Sequence, residues 1–159
     1  MILSLSNINQ SLLEGKMKSF AEKKKLLEVT AHPPNRVLAY SLKSVPDVSN
    51  LSRILLPAWD SSSYKERAKE AKYDPANIKS SYERINEKSR IRLFKERIDS
   101  SLIFFDHSCV VAPYLKDKCG HFSPVAVFSS EDKGGYYTIA EKYFDELWEK
   151  SIPFDQYGI

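Results

Sequence analysis

The chain has 159 residues, of which 42% are hydrophobic and 28% charged, and its formal net charge is +3. This length supports one domain with its own core, so we predict a single domain over residues 1–159. Its apolar runs are too short to cross a bilayer and its first residues do not resemble a signal peptide, so we predict a cytoplasmic protein without a membrane segment. With five glycines and neither GxGxxG nor GxxxxGK, the sequence disfavours dinucleotide-binding and P-loop folds.

The first third of the chain predicts one helix and two strands. Apolar residues at helical spacing predict an N-terminal helix within residues 1–30, and the Pro33–Pro34 pair ends it. A strand is predicted over Arg36–Val45, where side chains suited to strands alternate between two faces. Ser52–Pro57 contains a continuous aliphatic run, which is typical of a buried strand.

The middle of the chain predicts two helical segments. Asp60 or Ser61 can cap a helix over Tyr64–Tyr73, whose thin apolar stripe predicts that it is largely solvated. Asp74 followed by Pro75 is a strong start for the second segment, over Pro75–Glu87. Its predicted packing stripe consists of Ile78, Tyr82 and Ile85.

The pattern then becomes that of a sheet and ends in a helix. The predicted strands are Arg90–Ile98, Leu102–Asp106, Cys109–Tyr114 and Pro124–Phe128. The short link Asp106-His107-Ser108 predicts a hairpin between the second and third of these. We therefore predict an α/β (α+β) fold with an α/β core over residues 36–151, in which helices pack on a mixed sheet of about five to six strands.

The last helix is predicted over Ile139–Lys150, and Pro153 ends it. Thr138 and Glu141 have the spacing of a capping box, which predicts the start of the helix. One face of this helix is apolar, which predicts that it covers the sheet. The residues of that face are Ile139, Ala140, Tyr143, Phe144, Leu147 and Trp148.

Histidine is the usual general base, and the chain has three. Neither their spacing nor that of the two cysteines matches a zinc site, so we predict no metal and no cofactor. His107 is the best catalytic candidate, because Asp106 or Ser108 could act with it. The alternative is an ordinary polar hairpin turn, which we favour.

Two groups of residues are candidates for ligand binding. Trp59, Asp60, Ser61 and Ser62 follow a buried strand and begin a helix, where open α/β sheets bind anionic ligands. The alternative is a capped helix with the tryptophan packed on the sheet edge. Arg90 and Arg92 share one face of a predicted strand and could contact phosphates, although a solvated edge strand explains them equally well.

The run from Ile91 to Trp148 has a familiar order of strand, Asp-containing hairpin, Ser-Pro-bearing strand and closing helix, the helix containing Tyr143-Phe144-Asp145-Glu146-Leu147-Trp148. In this it resembles one half of the phospholipase D-like fold of small bacterial regulatory proteins. Active members carry His-x-Lys, but here Pro34, Cys109 and Ser123 stand two residues after the histidines. The resemblance therefore implies a copy without phosphodiesterase chemistry that dimerises and binds a small anionic ligand.

These observations lead to three functional hypotheses. The first is a non-catalytic ligand-sensing or regulatory domain, with a pocket near Trp59, Asp60 and His107 that binds a small phosphorylated molecule. The second is a hydrolase or phosphodiesterase that uses His107 with Asp106. The third is a protein interaction or dimerisation module, with a homodimer as the expected assembly and nucleic acid as a further possible partner.

Overall fold

The computed structural model describes residues 34–42, 48–72, 74–78, 82, 85–116, 124–131 and 134–157. Over these ranges the chain forms a mixed seven-stranded sheet and two α-helices, which confirms the predicted α/β (α+β) class. The strands are β1 (Arg36–Leu38), β2 (Arg53–Pro57), β3 (Ile91–Phe94), β4 (Ser100–Phe104), β5 (Ser108–Pro113), β6 (Ala126–Ser129) and β7 (Ile152–Pro153). The helices are α1 (Ser62–Ala71) and α2 (Tyr136–Lys150). The predicted N-terminal helix lies outside the described residues.

The strand order is β6-β5-β4-β1-β2-β3-β7. Strands β1, β2 and β3 are parallel, whereas β4, β5 and β6 continue from β1 as an antiparallel set. The predicted hairpin between β4 and β5 is confirmed, with Phe104 opposite Cys109. The sheet has one more strand than expected because β7, just after α2, pairs antiparallel with β3.

Strand β1 is shorter than predicted. The amide of Ala39 still donates to the carbonyl of Leu55, at 3.2 Å. The next amide, that of Tyr40, donates instead to the Tyr114 hydroxyl oxygen at 2.8 Å. A side chain therefore replaces the neighbouring strand as the hydrogen-bond partner, and the ladder ends there.

Helix α1 is capped by Ser61, whose Oγ accepts a hydrogen bond from the Tyr64 amide at 3.2 Å. Of the two residues expected as cap, Asp60 does not fill that role. The expectation of a largely solvated helix is wrong, because half of its residues are buried. The buried residues are Ser63, Tyr64, Arg67, Ala68 and Ala71.

The segment after α1 begins as expected. The Asp74 carboxylate accepts a hydrogen bond from the Ala76 amide at 2.9 Å and caps a single 3-10 turn, Pro75–Asn77. The predicted packing stripe of Ile78, Tyr82 and Ile85 is buried in the core. The rest of the predicted segment lies partly outside the described residues.

Helix α2 begins at Tyr136, earlier than expected, with Gly135 in the capping position. The predicted capping box is wrong: Thr138 lies inside the helix, and the Glu141 carboxylate accepts a hydrogen bond from Arg36 at 2.9 Å. The buried face consists of Tyr137, Ala140, Phe144 and Leu147. Ile139 and Tyr143, expected in that face, are 47% and 42% exposed. Among the described residues, no helix is both long and apolar enough to cross a membrane.

Lys72 ends α1 with a positive φ of 58°, a left-handed conformation that costs a residue with a side chain more than it costs glycine. We expect Lys72→Gly to raise the free energy of unfolding by up to about 1 kcal/mol. Urea denaturation measures this change. Lys69→Gly, in the last turn of the same helix, is the control and should lower stability by about 1 kcal/mol. Equal losses in both variants would contradict the prediction.

Candidate ligand site at the carboxyl edge of the sheet

The carboxyl ends of β1, β2, β3 and β5 lie at one edge of the sheet, called here the carboxyl edge. The chain places β2 and β3 on one side of β1 and then returns to place β4 on the other side. The strand order therefore reverses around β1. Open α/β sheets bind ligands beyond the carboxyl ends of their parallel strands, and those of β1, β2 and β3 lie at this edge.

Arg67 of α1 lies at this edge with 1% of its surface exposed. Its Nη1 donates to the Leu115 carbonyl at 2.7 Å and lies 3.5 Å from the Glu70 carboxylate. Its guanidinium carbon is 4.7 Å from the centre of the Tyr114 ring. Because arginine keeps its proton in proteins, this is a permanent buried charge that needs partners.

The Tyr114 ring that contacts Arg67 belongs to a group of three tyrosine rings. The ring centre of Tyr40 lies 5.0 Å from that of Tyr114 and 6.4 Å from that of Tyr64. The Tyr40 hydroxyl oxygen accepts a hydrogen bond from the Ile98 amide at 3.1 Å. Burial raises the pKa of Tyr40, so its phenol stays neutral at physiological pH and can donate a hydrogen bond.

A partly exposed ion pair between Arg97 and Glu70 lies next to Arg67. Arg97, just beyond β3, donates from Nη2 to both carboxylate oxygens of Glu70, at 2.9 and 2.7 Å. This hydrogen bonding lowers the pKa of Glu70 and raises that of Arg97, so both stay charged. We call Tyr40, Tyr64, Arg67, Glu70, Arg97 and Tyr114 the Arg67 cluster.

The residues predicted from the start of α1 lie at the same edge, on the side of β2 and β3. Trp59 packs edge-on against Tyr82, Phe154 and Tyr157. The Asp60 carboxylate accepts a hydrogen bond from the Tyr157 hydroxyl. Ser61 caps the helix, whereas Ser62 is exposed. These contacts are those of a capped helix with a packed tryptophan, and the ligand-binding role of the four residues stays a prediction.

Arg90 and Arg92 do not share a strand face, because Arg90 belongs to a 3-10 turn before β3. Arg90 donates to the carbonyls of Ser49 and Leu51 at 3.1 and 3.0 Å. Arg92 donates to the Ser151 carbonyl at 2.6 Å and lies 5.2 Å from the centre of a Trp148 ring. These two arginines hold a loop and the end of α2, and their predicted contact with phosphate remains untested.

Asp106 and His107 lie at the opposite edge of the sheet from Trp59 and Asp60. Strand β4 runs antiparallel to β1, so the β4–β5 hairpin tip adjoins the amino ends of the parallel strands. The prediction of a single pocket near Trp59, Asp60 and His107 is therefore wrong. The Asp106 carboxylate accepts a hydrogen bond from the Asn35 side chain at 2.9 Å, and His107 is exposed. These contacts favour a polar turn, while catalysis by His107 stays a prediction.

The other two histidines, His32 and His121, lie outside the described residues. Within the described ranges, no three His, Cys, Asp or Glu side chains are gathered closely enough to hold a metal ion.

Sequence reasoning missed the Arg67 cluster, although one pattern in the sequence pointed to it. The spacing of Tyr64, Ala68 and Ala71 defines a helical stripe, and Arg67 occupies its remaining i+3 position. An arginine on an apolar stripe is either buried with partners or extended to solvent along its aliphatic stem. Tyr40 and Tyr114 carry no comparable local pattern, because only the folded sheet brings them to α1.

Comparison with known proteins places the chain in no family. No family model matches it, and no curated protein matches it. Among solved structures it is similar to TrmBL2, an archaeal chromatin protein that shows a novel mode of DNA binding. The TM-score is 0.42 and the identity 14%, over 94% of this chain and 54% of that protein, so the chain spans about half of its length. Such a distant likeness carries no argument about function, and the phospholipase D-like resemblance stays a prediction.

The hydrogen bond from Tyr157 lowers the pKa of Asp60, whereas burial, together with Asp60, raises the pKa of Tyr157 to about 12. A carboxylate with a lowered pKa stabilises the fold above its ordinary pKa, and this stabilisation is lost as the pH falls through the lowered value. We therefore expect Tyr157→Phe to lower the Tm more at about pH 7 than at about pH 3, and to raise the pKa of Asp60.

Thermal melts across this pH range and a carboxyl titration by NMR measure these effects. Tyr143→Phe, on the exposed side of α2, is the control and should leave the pKa of Asp60 unchanged. An unchanged Asp60 pKa in Tyr157→Phe would show that this hydrogen bond does not determine the ionisation of the carboxyl.

Proposed function

We propose that this chain is a non-catalytic ligand-sensing or regulatory domain that binds a small anionic molecule at the Arg67 cluster. The observation that carries the proposal is a permanently charged, fully buried guanidinium at the carboxyl edge, where the strand order reverses. Buried charge is rare in proteins and is expensive to maintain, so its place at this edge points to a role in binding.

The chemistry of the Arg67 cluster supports an anion as the ligand. Guanidinium groups bind carboxylates and phosphates through paired, charge-assisted hydrogen bonds. These bonds are stronger where neighbouring groups exclude water, as at Arg67, which is 1% exposed and covered by the Tyr114 ring. The side chain of Arg97 is 36% exposed and that of Glu70 23%, so a small molecule can reach the charged groups from solvent.

The same residues support a role in binding more than in catalysis. The six described residues of the Arg67 cluster include no histidine and no cysteine, and Tyr40 is less acidic than an ordinary tyrosine. A nucleophile or general base at neutral pH needs a pKa close to that pH or an adjacent base. The cluster can therefore hold and orient an anion, but it has no group suited to attack one.

A thermal-shift screen of nucleotides and phosphorylated metabolites tests the proposal. A ligand at 100 times its Kd adds about 2.7 kcal/mol to the native state, which corresponds to a rise in Tm of about 5 to 10 °C for a domain of this size. Arg97→Gln should weaken that ligand about 10-fold to 100-fold, because one charge-assisted hydrogen bond contributes about 1.5 to 3 kcal/mol.

His107→Ala is the matched control, because His107 is exposed at the opposite edge, and its affinity for the ligand should be unchanged. The proposal fails if no anion in the screen raises the Tm, or if Arg97→Gln binds the ligand as well as the unaltered chain does. Loss of phosphodiester hydrolysis in His107→Ala would favour the enzyme hypothesis instead. Binding of duplex DNA that is insensitive to Arg97→Gln would favour a nucleic-acid partner.

One observation favours dimerisation as a second function. Ile139 and Tyr143 are exposed one turn apart on α2, and Lys142 and Glu146 are exposed beside them. Two copies of α2 packed antiparallel, with the twofold axis level with residue 144, would bring each Lys142 opposite the Glu146 of the second copy, which gives charge complementarity about that axis. The occupant that this surface fits is therefore a second copy of the chain.

Light scattering at high protein concentration measures the assembly directly. We expect a dimer that Lys142→Glu dissociates and that the double variant Lys142→Glu with Glu146→Lys restores, because the double exchange preserves complementarity. Lys72→Glu, at the end of α1, is the control and should leave the dimer intact. A chain that is monomeric at every concentration would exclude this second function.

A further inference from the structure

The side chain of Tyr157 lies beyond the carboxyl ends of β2 and β3, between the residues that follow these two parallel strands. Its ring centre is 5.0 Å from that of a Trp59 ring, which follows β2, and 5.4 Å from the ammonium nitrogen of Lys95, which follows β3. Its hydroxyl donates a hydrogen bond to the Asp60 carboxylate. Open α/β sheets bind ligands at this position, and here a side chain of the same chain occupies it.

Each part of the Tyr157 phenol has a partner of suitable chemistry. The Trp59 ring meets the phenol ring at 88°, an edge-on arrangement that aromatic pairs favour. The Lys95 ammonium lies over the same ring, within the range of a cation–π contact. Asp60 is exposed, and the hydrogen bond from the Tyr157 hydroxyl lowers the pKa of Asp60, so its carboxylate is ionised at neutral pH. These three partners fit an aromatic ring with a hydroxyl donor, and the carboxylate disfavours an anion.

The segment Phe154–Tyr157, called here the latch, is attached to the domain mainly through side chains. Strand β7, just before it, pairs with β3 over two residues, of which Pro153 has no amide to donate. Within the described residues, the one backbone hydrogen bond of the latch runs inside it, from the Tyr157 amide to the Phe154 carbonyl at 3.1 Å. The rings of Phe154 and Tyr157 hold it against Trp59. Such a segment can open locally at a lower free energy than global unfolding requires.

We propose that this place is a binding site for a small molecule with a phenol group, and that Tyr157 occupies it until such a molecule displaces the latch. The latch is then an autoinhibitory contact, because an intramolecular ring competes with the free ligand. The apparent affinity for the ligand is the intrinsic affinity reduced by the fraction of molecules whose latch is open. The site is at the start of α1, whereas Arg67 lies in the second half of this helix, so binding here is independent of the anion proposed above.

The test compares 4-methylphenol with toluene, which has the same ring and methyl group but no hydroxyl. In Tyr157→Gly the competing ring is removed, and about 5 mM 4-methylphenol should raise the Tm by about 3 °C or more, as a ligand at about ten times its Kd would. Toluene should raise the Tm by less than half as much. Asp60→Ala added to Tyr157→Gly should abolish this difference, because the hydroxyl loses its acceptor. Tyr143→Ala, on the exposed side of α2, is the control and should not distinguish the two compounds.

Displacement of the latch is tested in a variant that keeps Tyr157. Phe154→Ala removes a ring contact between the latch and Trp59, so the latch should open more often, and the variant should bind 4-methylphenol about 10-fold more tightly than the unaltered chain. Titration of the Trp59 indole N–H signal by NMR measures both affinities.

Two results would overturn the inference. The first is an equal rise in Tm with 4-methylphenol and with toluene in Tyr157→Gly, which would show an apolar cavity without preference for a phenol. The second is a Trp59 signal that 4-methylphenol shifts in neither Phe154→Ala nor the unaltered chain, or shifts with equal affinity in both. If Tyr157→Gly does not fold, the comparison of Phe154→Ala with the unaltered chain decides alone.

Discussion

A guanidinium group keeps its proton inside a protein, so every arginine that this fold covers must find acceptors, and this constraint shapes both the face and the edge of the sheet. On the face, neighbouring positions of β1 and β2 carry Arg36 and Arg53 beneath α2. Their partners are Glu141 and Asp145, one turn apart on the helix. Both guanidinium groups also lie near the Phe144 ring, so charge pairing and apolar packing hold α2 in the same position.

At the carboxyl edge the same constraint has a different outcome. Beneath α2, Arg36 and Arg53 pair with different carboxylates, whereas Arg67 and Arg97 both pair with Glu70. The two ion pairs beneath α2 balance their charges within the chain, and they hold α2 against the sheet. In the second arrangement Arg97 and Glu70 are partly exposed, so an anion from solvent can reach them, as the proposed function requires.

The sequence predicted those features whose cause is local. The aliphatic run of β2, the hairpin between β4 and β5, and the stripe of Ile78, Tyr82 and Ile85 all depend on residues close together in the chain, and all are found. The predicted start of α2 was wrong because Glu141 does not cap the helix but pairs with Arg36 of β1, 105 residues away. No local pattern distinguishes a glutamate that caps its own helix from one that pairs across the fold.

The candidate site is harder to predict for a related physical reason. Its side chains come from the ends of β1, β3 and β5 and from α1, and they meet only because β4 returns to the other side of β1. Because arginine is usually exposed to solvent, the sequence did not indicate that Arg67 is buried, and α1 was therefore predicted to be largely solvated. An arginine at a core position of an amphipathic helix joins a buried stem to a charge that must be paired. Such a residue therefore indicates the packed face of its helix, and in the function proposed for this chain it also marks the place where an anion binds.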